Sequence, residues 1–130
     1  IVGVNYYRQN QWSLAGPSID RDDRRYRPFR ALLAETHARY GRPLLVAETG
    51  TEGDERAAWF RSIMREVAAA RRAGVPVEGV CLYPIIDHVG WDNDRDCPSG
   101  LLANRFENGR RAVHAPLADM IRRYCERGLD

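Results

Sequence analysis

The stretch "LLVAETG", Leu44 to Gly50, runs four apolar residues straight into a carboxylate, a hydroxyl and a glycine. A continuous apolar run of this length is the pattern of a parallel strand whose two faces are both covered. Its last charged position is the puzzle. A carboxylate taken out of water without a partner costs several kcal/mol, so a strand that drives inward and closes on Glu48 needs a reason to do so. Either Glu48 caps a strand that has already reached solvent, or the strand delivers the acid to a site.

Working outward, the same strand-then-helix rhythm recurs on both sides. Upstream, "IVGVNYY" (1–7) is β-branched and aromatic, as a strand requires. A long polar loop follows, and Pro28 then opens a helix in which Phe29, Leu32, Leu33, Thr36 and Tyr40 recur at helical spacing before Gly41 stops it. Downstream of Glu48, the sequence predicts a helix after Gly53, with Asp54 as N-cap and Phe60, Ile63, Met64 and Val67 as its buried stripe, ending before Gly74. "VEGVCLYPII" (77–86) reads as a third strand, "DHVGWDNDRDCPSG" (87–100) as a loop, and a last helix is expected near 112–127 with Leu117, Met120, Ile121 and Tyr124 inward.

Strands alternating with helices imply right-handed parallel βαβ units, here over 1–41, 42–74 and 75–130. Three such strands with helices on one side leave a bare face and two unpaired edges. The expected fold class is therefore α/β, a part of a TIM (β/α)8 barrel of about 250 residues, or else a small open sheet that a partner chain or a second copy completes. The chain opens inside a strand and without an initiating Met, which also suggests a piece of a longer protein.

Composition narrows the partners. Of 130 residues, 44% are hydrophobic and 29% charged, an ordinary globular balance, and the net charge of +2 is too small to argue for nucleic acid. All twenty basic residues are arginine, and the cluster "RDDRRYR" (21–27) mixes both signs, as a salt-bridged surface loop does. Cys81, Cys97 and Cys125 are odd in number and lack C-x-x-C spacing, which points to no disulfide framework, no zinc site and a reducing, cytoplasmic setting. No apolar run of about eighteen residues and no basic-then-apolar leader precedes the first strand, so neither a membrane span nor a signal peptide is expected. "DNDRD" (92–96) begins like a calcium loop, but Cys97 stands where the turn glycine belongs and Ala103 where the closing glutamate belongs. No metal or cofactor is expected.

In a barrel the chemistry sits at the C-terminal strand ends, and the polar residues gather there. Side chains alternate along the first strand, so Gly3, Asn5 and Tyr7 share one face. Glu48 ends the second strand and Tyr83 the third, with Asp87, His88 and Trp91 beyond it. A carboxylate kept ionised by a Tyr hydroxyl and an Asn amide, beside aromatic platforms for sugar faces, suits retaining glycoside cleavage. There one carboxylate attacks the anomeric carbon while a second acid, about 5 to 5.5 Å away, protonates the leaving oxygen.

These segments resemble glycoside hydrolase family 1, the β-glucosidase-type enzymes. "IVGVNYY" is similar to that family's sixth barrel strand, apolar-G-x-N-Y-Y; "VAETG" resembles its T-E-N-G signature around the nucleophile; "YPIIDHVGW" lies without gaps on its eighth-strand segment W-S-L-L-D-N-F-E-W. The resemblance implies strands six to eight of a (β/α)8 barrel, Glu48 as nucleophile, Asn5 and Tyr7 as its neighbours, Tyr83 in place of a Trp under the sugar, and Trp91 against a sugar hydroxyl. The loop residues Asp87 and His88 complete the candidate substrate-binding set, against the competing expectation that Asp87 bonds loop amides and His88 is a solvated loop residue. The implied partner is a β-linked carbohydrate, with the missing N-terminal half of the barrel completing the sheet. Two departures stand out. Gly90 replaces the glutamate that grips the outer hydroxyls, and the general acid of the N-E-P motif is not in this chain. A barrel that keeps the cleft and binds carbohydrate without hydrolysis is the alternative.

Overall fold

The computed structural model describes residues 1–14, 16 and 18–128. Three parallel strands, β1 (Val2–Asn5), β2 (Leu44–Thr49) and β3 (Val77–Leu82), form one sheet in the order β1-β2-β3. Helices α1 (Phe29–Tyr40) and α2 (Arg56–Arg72) follow the first two strands, and α3 (Ala115–Arg127) closes the chain.

The helices cover one face. Tyr6 on the first strand's extension, Leu44 and Val46 on β2, and Val77 on β3 pack against Phe29 and Leu33 of α1 and Ile63 and Val67 of α2. Phe60 and Met64 continue this layer onto Leu117 and Met120 of α3. Each fully buried Leu, Ile or Val contributes roughly 1.5–3 kcal/mol, so this layer dominates the stability. The opposite face carries Gly3, Asn5 and Cys81, all exposed. Parallel sheets are ordinarily covered on both sides, so this face is incomplete as it stands.

Residues close the helices for the reasons their types suggest. Gly41 adopts a left-handed conformation (φ 59°), and its N–H donates to the carbonyl of His37. His114 caps α3 through Nδ1, which accepts from the Leu117 N–H, and Pro116 stands in the first turn where no N–H is needed. Arg25 grips Asp23 and Arg27 pairs with Glu35, so the 21–27 cluster is a salt-bridged surface loop.

Three features differ from the sequence-based expectation. Asp54 is not an N-cap: a short 3₁₀ turn, Gly53–Glu55, comes first, and α2 starts at Arg56 behind Glu55. The 87–100 segment contains a two-stranded antiparallel ladder, β4 (His88–Val89) with β5 (Asp96–Cys97). A hairpin, β6 (Leu102–Glu107) with β7 (Arg110–Val113), then occupies the stretch where only a loop and the start of the last helix were expected, and α3 begins at Ala115. Asn108 and Gly109, both at positive φ, make the hairpin turn.

Candidate active site

The sheet itself delivers Glu48. In strict alternation Leu44, Val46 and Glu48 would all face the helices. The ladder does not run strictly: the register shifts between Val4 and Asn5 on one side of β2, so that Asn5 pairs with Glu48, and between Val46 and Thr49 on the other. An irregularity of this kind re-aims a side chain. Thr49, not Glu48, is the residue fully buried toward the helical layer, and Glu48 turns to Tyr7. The Tyr7 Oη donates to Glu48 Oε2 at 2.8 Å.

Backbone bonds fix this end of β2 from both neighbours. The Tyr6 N–H donates to the Glu48 carbonyl at 3.0 Å, and the Tyr83 N–H to the Thr49 carbonyl at 2.9 Å. Gly50 then passes so close to β3 that a Cβ built on it would lie 2.0 Å from the Tyr83 carbonyl oxygen. Only glycine fits there, which explains the residue that ends the run.

Burial first, and the bond to Glu48 second, hold the Tyr7 phenol well above its ordinary range. At neutral pH it is therefore a hydrogen-bond donor to the carboxylate. Asn5 is exposed on the open face, directly across the ladder from Glu48.

Beside this pair lies an open cleft of about 440 Å³, lined by Tyr7, Tyr83, His88 and Trp91 together with Gln9 and Glu52. Four of the residues singled out in the sequence thus meet at one surface. Trp91 stands out into solvent, 87% exposed, and Tyr83 is partly open. His88 Nδ1 donates to the carbonyl of Val89. Glu48 and Asn5 lie beside the cleft without lining it, and Asp87 stands apart from both. The Asp87 carboxylate accepts from the Gly100 N–H at 2.6 Å and lies 3.6 Å from Arg56, whose side chain also donates to the Gly53 and Gly100 carbonyls. It ties the loop beyond β3 to the start of α2 and does not line the cleft.

Gln9 and Glu52 escaped the sequence reading. Glu52 sits four residues past Glu48, and Arg95 reaches it from the β4–β5 ladder with two bonds, of 2.7 and 2.9 Å, that hold its carboxyl below the usual range. The spacing from a strand-end acid through a glycine was the available signal. A second cavity, of about 510 Å³, opens between the 8–26 loop and α2 but includes neither Glu48 nor Tyr7. Arg8 there pairs with Glu55, and Arg21 reaches Ser62 and the face of Trp59, while Asp20 and Asp22 also line the opening.

Parallel strands whose ends present a carboxylate, a phenol and aromatic rings invite comparison with known barrels. No protein-family model and no curated protein matches the chain. Solved structures do. The β-glycosidase of the hyperthermophile Thermosphaera aggregans is 26% identical over 75% of this chain and 21% of its own length, with a TM-score of 0.65. The family 1 β-glucosidase of Thermotoga maritima aligns over 99% of this chain and 35% of its own at 17% identity, with a TM-score of 0.74. Its complex with glucoimidazole aligns over 96% and 34%, at 0.70.

The chain resembles part of a family 1 β-glucosidase barrel. It spans about a fifth to a third of the length of the β-glucosidases it matches. Against that likeness the bare sheet face is intelligible, since a β-glucosidase barrel closes its sheet with strands beyond these three. No helix among the described residues is long and apolar enough to cross a membrane.

Proposed function

We propose that the chain is the part of a retaining glycosidase barrel that carries the nucleophile, acting on β-linked sugars. In this reading β1, β2 and β3 are strands six, seven and eight, and 1–41, 42–74 and 75–130 are successive βα units. The remainder of the barrel supplies the general acid, and the free thiols of Cys81, Cys97 and Cys125 suit a cytoplasmic enzyme. The observation that carries the reading is the Tyr7 Oη to Glu48 Oε2 bond of 2.8 Å at the C-terminal end of a parallel sheet.

The steps follow from that arrangement. A sugar in the cleft rests against Tyr83 and Trp91. The Glu48 carboxylate attacks the anomeric carbon as the glycosidic C–O bond breaks, and the acid outside this chain protonates the departing oxygen. Water then attacks the glycosyl ester, giving its proton to that same group, now the base, and Glu48 is released. Tyr7 donates to Glu48 throughout, and Asn5 stands next to it on the open face.

The test is direct. In the full-length protein, a 2-fluoro glycoside should label Glu48, and Glu48→Gln should lower turnover of aryl glycosides by several orders of magnitude with the fold unchanged. Full activity in that variant ends the proposal.

A second reading, carbohydrate binding without hydrolysis, has its own support at Gly90. A Cβ there would lie 2.6 Å from Asn93 Oδ1, so the glutamate that the family resemblance calls for would fit only with the Asn93 side chain moved aside. An upstream half without an acid in an N-E-P context, together with sugar binding and no labelling of Glu48, favours this reading.

A further inference from the structure

Glu48 faces Tyr7, and Thr49 faces the helical layer. The Thr49 hydroxyl is wholly buried and makes two bonds: it donates to the Tyr6 carbonyl at 2.7 Å and accepts from Trp59 Nε1 at 2.9 Å. Trp59 belongs to α2, and its ring stacks on that of Tyr6 at 6.0 Å, while Tyr6 stacks in turn on Phe29 of α1. A side chain one residue past the carboxylate is therefore pinned to both the neighbouring strand and the helix behind it.

Position 49 lies at the register shift of β2 against β3, and Glu48 at the shift of β2 against β1. Thr49 directed to the helices forces its predecessor to the other side. We propose that Thr49 is a positioning residue, whose hydroxyl bridge from Trp59 to the Tyr6 carbonyl holds the irregular end of β2 in the conformation that aims Glu48 at Tyr7 and the sugar. The inference rests on the reading of Glu48 as nucleophile. The bridge touches neither substrate nor reacting atoms and acts through backbone geometry.

An isosteric valine removes both bonds and leaves the Trp59 N–H without an acceptor; a serine keeps the hydroxyl. A nucleophile displaced by about 1 Å loses about 10²-fold in rate while the binding surface stays the same. The experiment measures the rate constant for labelling Glu48 with a 2-fluoro aryl glycoside, and its dependence on reagent concentration, in the full-length protein. Thr49→Val is expected to slow labelling at saturation by about 10²-fold with half-saturation little changed, and Thr49→Ser to restore it to within about threefold. Trp59→Phe keeps the ring and the Thr49–Tyr6 bond and loses only the indole donor. It is expected to slow labelling about tenfold, and it decides the matter should the valine variant not fold.

Failure of the unsubstituted protein to label at Glu48 would overturn the proposed function and the inference with it. Labelling of the parent together with unchanged labelling rates in Thr49→Val, or in Trp59→Phe where valine prevents folding, overturns the positioning role alone. A lower melting temperature with an unchanged rate counts as the same refutation.

Discussion

Two walls meet at the C-terminal end of the sheet, and they are built differently. At the end of β2, Glu48, Thr49 and Gly50 are held by strand bonds to β1 and β3, by the Trp59–Thr49–Tyr6 bridge and by a glycine in a space that admits nothing larger. Beyond β3, the 83–97 segment offers Tyr83, Ile85, Ile86, Val89 and Trp91, all large and all exposed, in and around a short ladder tied down by the Arg95–Glu52 pair. One wall is finished within this chain. The other presents apolar surface of the kind that further strands and loops of a barrel cover. Under the proposed function, the group that must be aimed precisely stands on the rigid wall, and the proposed sugar platforms stand on the wall that remains open to its surroundings.

The comparison breaks most sharply at Gly50. Because a Cβ would meet the Tyr83 carbonyl at 2.0 Å, Gly50→Ala must part β2 from β3. The expected cost is about 4 kcal/mol or more, measured by denaturant unfolding. A variant as stable as the parent would mean that the rigid wall yields. Asp87→Ala tests the root of the other wall. It strips Arg56, only 12% exposed at its side chain, of its carboxylate and leaves the Gly100 N–H unpaired, so about 3 kcal/mol is expected from the same measurement. Unchanged stability would return Asp87 to the list of residues free to bind substrate.

Much of the rigid wall was legible in the sequence. The apolar run 44–47, the β-branched opening strand and the stripe Phe60, Ile63, Met64 and Val67 carry their periodicity on their face, and burial follows it. What periodicity does not carry is the departure from it. Counting by twos from Leu44 sends Glu48 into the helical layer, and only the pairing register, which depends on both neighbouring strands, turns it out. The open wall was harder to read because short polar segments hold their shape through single distant bonds, such as Gly100 to Asp87 and Arg95 to Glu52, that leave no period. The hairpin at 102–113 did leave a signal, the Asn108-Gly109 pair between β-formers, which the expectation of a loop and a helix passed over.

Tyr7→Phe separates aim from electrostatics. The ring remains, and the hydroxyl bond to Glu48 goes. A bond to a charged group accounts for about 2 kcal/mol, so kcat on aryl glycosides should fall roughly thirtyfold in the full-length protein. Stability carries a pH signature too. Burial, and then the bond to Glu48, raise the phenol above its unfolded value near 10, so the contribution is present below about pH 10 and is lost as pH rises toward the folded value. The alkaline fall in stability should be shallower in Tyr7→Phe. Tyr6, raised chiefly by burial, keeps part of that fall in place, and an identical slope would mean that Tyr7 titrates as it does in the unfolded chain.

The smallest effect is expected where the open wall reaches farthest. Trp91 is 87% exposed, and none of the buried clusters includes it. Trp91→Ala should therefore shift the unfolding free energy by no more than about 0.5 kcal/mol. If its ring is a platform for a sugar face, its loss removes about 1 kcal/mol of binding, and KM should rise roughly fivefold with kcat nearly unchanged. A change in kcat without one in KM would tie the open wall to the aim of Glu48, and the contrast between the two walls would fail. A drop in stability of several kcal/mol would show that the rest of the barrel buries Trp91, moving it from the sugar's surface to the protein's own core.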